Sequence, residues 1–270
     1  MPLVDIIVRS KNGHDMFERL VDSIEANTDP SLFRFVISDD GSDPPLPFAP
    51  RCPDVFLHTG TCNGAVTATN LGLAVALTKN DSEYVLIMDN DTEIPDGDTE
   101  WLNRMIAEFE QGGPKTACVA ATSDRVDMVQ QILMVPPTFT ADWEDEATGR
   151  MGSKDNRAVP SFVSFCVLFR KSVLREVGPW DERYNPGNWE DTDYAVQVRN
   201  AGYEIRVARS VFIHHKSHAT FGDDIQKLLK ENQAKFAEKW GLGRLWDMNI
   251  IPSKEIAILA GRQAGILKEQ

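Results

Sequence analysis

The stretch Tyr84-Val85-Leu86-Ile87-Met88-Asp89-Asn90-Asp91 runs as unbroken apolar chain and then ends on two carboxylates. Five such residues in a row read as a buried strand rather than one with a wet face. Side chains two apart on extended backbone point the same way, so Asp89 and Asp91 share one side of the strand end. Two carboxylates so placed can hold a hard cation such as Mg2+ or Mn2+. Asp and Asn also terminate strands as simple turn formers, and by itself the motif fits either role.

Working outward, the same grammar repeats. Leu3 to Val8 reads as a strand, and Phe17, Leu20, Val21 and Ile24 follow at helical spacing. Phe33 to Ile37 is a second strand, stopped by the acidic turn Asp39-Asp40-Gly41-Ser42-Asp43. Asp54 to His58 is a third, followed by an alanine- and leucine-rich helix over 65–78. Beyond the opening stretch come a helix over 98–111 and a strand over 117–121. The aperiodic, Pro- and Gly-bearing run from Pro136 to Pro160 predicts a long functional loop. Order returns with strands over 162–170 and 211–213, and helices over 190–201, 224–240 and 254–267. Strands alternating with helices predict an α/β fold with a doubly wound, mostly parallel sheet, whose ligands gather at the carboxyl ends of the strands.

A chain of 270 residues, 42% hydrophobic, can bury one sizeable core, which predicts a single catalytic domain with a tail. The formal charge of -13 repels phosphate backbones and makes nucleic acid an unlikely partner, whereas it suits a bound divalent cation. Cys52, Cys62, Cys118 and Cys166 are scattered and form no C-x-x-C pair, so buried free thiols are expected rather than disulfides or a zinc ribbon. The opening Met1-Pro2-Leu3-Val4-Asp5 carries no basic n-region, and no apolar run approaches the ~20 residues that span a bilayer. The expectation is a soluble, cytoplasmic protein, with peripheral membrane contact by the last helix left open.

Two more clusters carry chemistry. Trp189-Glu190-Asp191-Thr192-Asp193 opens a helix, where the positive end of the dipole keeps acids ionised. A carboxylate there can serve as general base toward a hydroxyl, or merely complement the dipole. His214-His215-Lys216-Ser217-His218 crowds three of the five histidines after a short strand, which favours a metal ligand over packing.

In this order the segments resemble the glycosyltransferase family 2 pattern on the nucleotide-diphospho-sugar transferase (GT-A) fold, over roughly residues 3 to 240. The matching pieces are Phe35 to Asp43 with its D-D-G-S turn, Asn63-Gly64 with Asn70-Leu71-Gly72, and Asp89-Asn90-Asp91 in place of the family's D-x-D. The most specific stretch is Ser164 to Gly202, followed by Phe236 and Lys239-Trp240-Gly241.

The resemblance implies a GT-A domain over 1–222, with a nucleotide-binding half at 1–122 and an acceptor-binding half at 123–222. Residues 223–270 then form a helical tail. It also implies a nucleotide-diphospho-sugar donor, UDP-linked by preference, contacted by Arg9, Ser10, Asp39, Asp40, Asn63, Gly64, Asn70, Asp89 and Asn90. Asp89, Asp91 and His215 hold Mn2+ or Mg2+, Trp189 and Glu190 line an acceptor pocket, and Asp191 is the base of an inverting transfer to a hydroxyl.

The chain departs from the pattern at three places. Thr69 stands where members often carry arginine, Ser164 stands for a frequent glycine, and Lys216-Ser217-His218 replaces a glycine-containing turn, so His214 and His218 rival His215. Two other readings compete. A haloacid-dehalogenase-like phosphatase shares the strand-then-D-x-D pattern but wants Thr or Val where Glu93 stands, on the first strand rather than the fourth. A catalytically silent sugar-nucleotide binding module is opposed by the intact acids and histidine.

Overall fold

The structure is a computed structural model and describes residues 3–46, 55–79, 81–124, 126, 130, 159–216 and 225–241. Most of the expected loop over 136–160, the helix expected over 254–267, Cys52 and His218 lie outside the described residues.

The chain begins with β1 (Val4–Ser10), α1 (His14–Asn27), β2 (Phe33–Asp39), β3 (Val55–His58), α2 (Ala65–Thr78) and β4 (Tyr84–Asp89). There follow β5 (Thr92–Glu93), α3 (Trp101–Gly112), β6 (Thr116–Thr122), β7 (Cys166–Arg170) and α4 (Lys171–Val177). After a short 3-10 turn (Glu182–Tyr184) come α5 (Glu190–Asn200), β8 (Glu204–Phe212), β9 (His214–His215) and α6 (Ile225–Lys239).

Seven strands form one sheet in the order β3-β2-β1-β4-β7-β6-β8. Among the described strands of this sheet only β7 runs against its neighbours, pairing antiparallel with β4 and β6, while the other pairings within the sheet are parallel. The sheet is thus mixed and mostly parallel, as the alternation of elements predicts.

Helices cover both faces, which is why the central strands are largely apolar. On one face Phe17, Leu20 and Ile24 of α1 and Trp101, Met105 and Phe109 of α3 pack on Ile6, Val8, Leu86 and Met88. On the other, Val66 and Leu73 of α2 and Tyr194 and Val198 of α5 pack on Ile7, Val85, Ile87 and Val167. Gly72 lets α2 close on β1, since a Cβ there would lie 2.5 Å from Ile7 Cγ2.

Several elements differ from the sequence expectation, among them the short β5 and β9 and the 3-10 turn, which carry no periodic signal. β8 has nine residues where only its end, 211–213, is legible, because Glu204, Arg206 and Arg209 interrupt the apolar signal on an edge strand whose Arg206 pairs with Glu108. The strand expected from Phe162 begins only at Cys166. α4 follows β7 directly, and its first residue, Lys171, is buried because its ammonium sits 2.7 Å from Asp5. Among the described residues no helix is long and apolar enough to cross a membrane.

Candidate active site

The strand order makes the position of the site a consequence of topology. From β1 the chain winds outward through β2 to β3, then returns to place β4 on the other side of β1. The crevice of an open α/β sheet lies at such a reversal, outside the carboxyl ends of the strands. Arg9 of β1 and Asp89 of β4 are register partners there, with Ser10 opposite Asp39 on the β2 side.

The carboxylates are shaped by the turn that leaves β4. Thr92 Oγ1 donates to Asp89 O at 2.7 Å, and the chain enters the two-residue β5, which pairs antiparallel with β9 so that Thr92 faces His215. That pairing carries the imidazole to Asp91, with Nε2 3.4 Å from Oδ1, and Phe165 stacks on the ring at 4.9 Å. Ligand atoms of Asp89, Asp91 and His215 all lie within 4.8 Å of one another. His214, its neighbour on β9, is exposed and packs edge-on to Phe212. Two carboxylates and one imidazole form a donor set that fits Mn2+ or Mg2+, the nitrogen tilting it toward Mn2+.

Arg9 is the hub between this cluster and the rest of the site. Its guanidinium donates to Asp89 Oδ1 at 2.5 Å, to Ser164 Oγ at 2.7 Å and to Thr69 Oγ1 at 3.2 Å. Burial disfavours its charge, but Asp89, with further pull from Glu190 and Asp191, outweighs that and holds its pKa above the ordinary value. The start of α5 therefore lies within electrostatic reach of the same guanidinium that grips Asp89. Ser164 and Thr69, the two positions where the chain departs from the family pattern near the donor side, are the two hydroxyls that Arg9 reaches.

The loops around this centre are laced together. Asn90 donates to Ser10 Oγ at 2.8 Å and to Asn12 O, and Asn12 N donates to Ser42 Oγ. Asp39 accepts from Ser42 N, Leu46 N and His58 Nδ1; although burial works against the ion, these bonds hold its pKa below the usual carboxylate range. Asp40 accepts from the backbone amides of Asn63 and Gly64, each at 2.8 Å, and so fixes the entry to α2. Both acids are buried and act as loop staples in this structure.

Asn70 joins α2 to the 180–182 segment. Its amide donates to Trp180 O and Glu182 Oε1 and accepts from Trp180 N. Gly64 faces the same side: a Cβ there would lie 2.4 Å from Asn185 Oδ1.

On the acceptor side, Glu190, Asp191 and Asp193 occupy the first turn of α5, and all three are buried. Asp191 Oδ1 accepts from Thr192 N at 2.6 Å. The helix is entered through Asn188 and Trp189, both with left-handed φ values near 70°, and the Trp189 ring packs on Phe236 of α6 at 5.1 Å. Sequence reading missed Phe165, whose carbonyl accepts from Asp89 N and whose ring supports His215, because an apolar residue before a strand carries no chemical signal.

Comparisons with known proteins bear on the fold and the family. Comparison with curated protein sequences gives no match. Among solved structures, GalNAc-T7 with UDP, GalNAc and Mn2+ superposes with a TM-score of 0.57 at 13% identity, over 80% of this chain and 44% of that one. The mannosyltransferase PcManGT from Pyrobaculum calidifontis, in complex with GDP-Man and Mn2+, gives 0.58 at 16% identity, over 97% of this chain and 69% of that one. S. aureus TarS 1-349 gives 0.50 at 15% identity, over 87% and 65%. The chain thus spans less than half of GalNAc-T7, and these likenesses establish the GT-A fold. The family model "Glycosyl transferase family 2" matches residues 5–178, which is more than half of the chain, and the chain belongs to that family.

Proposed function

We propose that the chain is a divalent-metal-dependent, inverting glycosyltransferase that moves a sugar from a nucleoside diphosphate, UDP by preference, to an acceptor hydroxyl. The observation that carries this reading is the gathering of the Asp89, Asp91 and His215 ligand atoms within 4.8 Å of one another at the carboxyl end of the sheet. Asp89, Asp91 and His215 would hold the cation, which when bound supplies positive charge to the departing diphosphate.

The chain's own residues then divide the work. Arg9 orients Asp89 through the bond to its Oδ1. Ser10, Asn12, Ser42 and Asn90 join the loops that border the donor crevice. Asp191 takes the proton of the acceptor hydroxyl, whose oxygen bonds to the anomeric carbon as the bond to the diphosphate breaks on the opposite face, so configuration inverts. Trp189 and Glu190 border the acceptor. The UDP and GDP-Man present in the two superposed structures support a nucleotide-sugar donor.

The test is release of nucleoside diphosphate from UDP- and GDP-sugars, with water as the acceptor, with and without Mn2+. Metal-dependent release supports the reading; tight nucleotide binding with no release indicates a silent binding module. Asp191→Asn should keep nucleotide affinity within about twofold and lower turnover by about 100- to 10,000-fold, the range of a positioned base. A variant that retains more than about a tenth of wild-type turnover removes Asp191 from that role.

A further inference from the structure

The described part of the tail, α6, grips the segment that delivers Asp191. Asn232 is fully buried, and its amide nitrogen reaches the carbonyl oxygens of Tyr184 at 2.8 Å, Gly187 at 2.7 Å and Asn188 at 3.0 Å. Lys235 Nζ donates to Arg183 O and to Asn232 Oδ1, which holds the amide in the orientation that donates. Phe236 packs on Trp189. Lys239 Nζ lies 2.7 Å from both Asp181 Oδ2 and Asp193 Oδ2, and Trp240 Nε1 donates to Asp193 Oδ1.

Apart from the bond between Lys235 and Asn232, each of these contacts falls on residues 181–193, and the family match ends at 178. The backbone they hold is an unfavourable one. Asn188 and Trp189 are consecutive non-glycine residues in the left-handed region, and the Asn188 side-chain Nδ2 is buried with no hydrogen-bond partner among the described residues. Side chains with a Cβ enter that region only where surrounding structure enforces it. Two residues later stands Asp191.

We infer that α6 is part of the catalytic apparatus, with Asn232 as a positioning residue: its clasp on three carbonyls enforces the left-handed entry to α5 and so aims Asp191 at the acceptor. This rests on the transferase reading above. Donor binding depends on the strand ends and not on this clasp, so loosening it should damage kcat and spare the donor KM.

The experiment measures Mn2+-dependent hydrolysis of the donor sugar nucleotide, at a temperature where circular dichroism shows each variant folded. Asn232→Ala should lower kcat by about 10- to 100-fold, the scale of a small misplacement of a reacting group, with donor KM within about twofold. Adding Asn188→Gly, which adopts the left-handed conformation unaided, should recover at least about threefold of the loss. Lys235→Met, on the exposed side of the clasp, provides a milder version should Asn232→Ala not fold, with a kcat loss of about 2- to 5-fold and the same unchanged KM. Lys227→Ala, on the outer face of the same helix, should leave both constants at wild-type values.

Normal kcat in folded Asn232→Ala or Lys235→Met overturns the inference. So does a loss that Asn188→Gly leaves in place, or one in which donor KM rises in step. A wild-type protein that turns over no sugar nucleotide refutes the transferase reading instead, which keeps the two failures apart.

Discussion

Replacing Arg9 by Met keeps most of the buried stem and removes the one charge that joins the two halves of the site. Removing one partner of a buried ion pair costs about 3–5 kcal/mol, because the other charge is left uncompensated. Asp89 keeps 28% of its side chain exposed, so water takes up part of its charge and about 2 kcal/mol is the better figure. Losing the bond to Ser164 Oγ adds about 1 kcal/mol. For a chain of this size about 3 kcal/mol lowers Tm by about 6–12 °C.

A divalent cation on Asp89 and Asp91 replaces the missing positive charge and no longer competes with the guanidinium for Asp89. Arg9→Met should therefore bind Mn2+ more tightly and gain more from it, where ligand at a hundredfold over Kd contributes about 2.7 kcal/mol. Thermal melts of both proteins in EDTA and across a Mn2+ titration measure this directly. A variant within about 2 °C of wild type in EDTA, or equal Mn2+-induced shifts in the two proteins, would refute the reasoning.

Asp91→Ala removes the carboxylate that faces His215, and Mn2+-dependent nucleotide binding should vanish in calorimetry; unchanged affinity would take Asp91 out of the metal site. Gly64→Ala puts a Cβ 2.4 Å from Asn185 Oδ1 at a φ of 103° and should cost about 2–4 kcal/mol in urea denaturation, a wild-type midpoint being the contrary result. The Asp39 pKa is lowered on folding, so its stabilisation is present above the ordinary carboxylate range near pH ~4 and is lost as pH falls through the lowered value. Asp39→Asn should accordingly be less stable than wild type at neutral pH and converge with it in acid, and a gap independent of pH would contradict this.

How much of this is legible in the sequence varies by residue. The strands are, because burial on both faces writes itself as apolar runs such as Tyr84 to Met88. The acidic pair Asp89 and Asp91 is also visible, since it sits in one strand end, but the histidine that comes to it, His215 rather than His214, is singled out only through the pairing of β5 with β9. The acidic run after Trp189 announces a helix opening without saying which acid does what; the cap is Trp189, and Asp191 is the second residue of α5. Asp193, equally acidic on paper, accepts from Tyr184, Gln197, Lys239 and Trp240 and is a structural node. The sequence cannot distinguish the two, because the difference is made by α6, some forty residues downstream. Asn70 shows the same limit: a polar residue at helical spacing announces a hydrogen bond without saying to what.

The reversed strand has a consequence for synthesis. β7 inserts between β4 and β6, so when the ribosome has released residue 122 the β6 strand has no neighbour in the sheet and β4 has one open edge. Roughly 50 more residues must emerge before β7 closes the gap, which at ~5–20 residues per second leaves the two apolar strand edges that face the gap bare for several seconds. The segment from β1 to β6 is therefore not a unit that can be finished first and then decorated. A nascent chain arrested near residue 125 should recruit chaperone and resist burial of β6, whereas one arrested with β7 and β8 outside the tunnel should be protease-resistant from β1 onward.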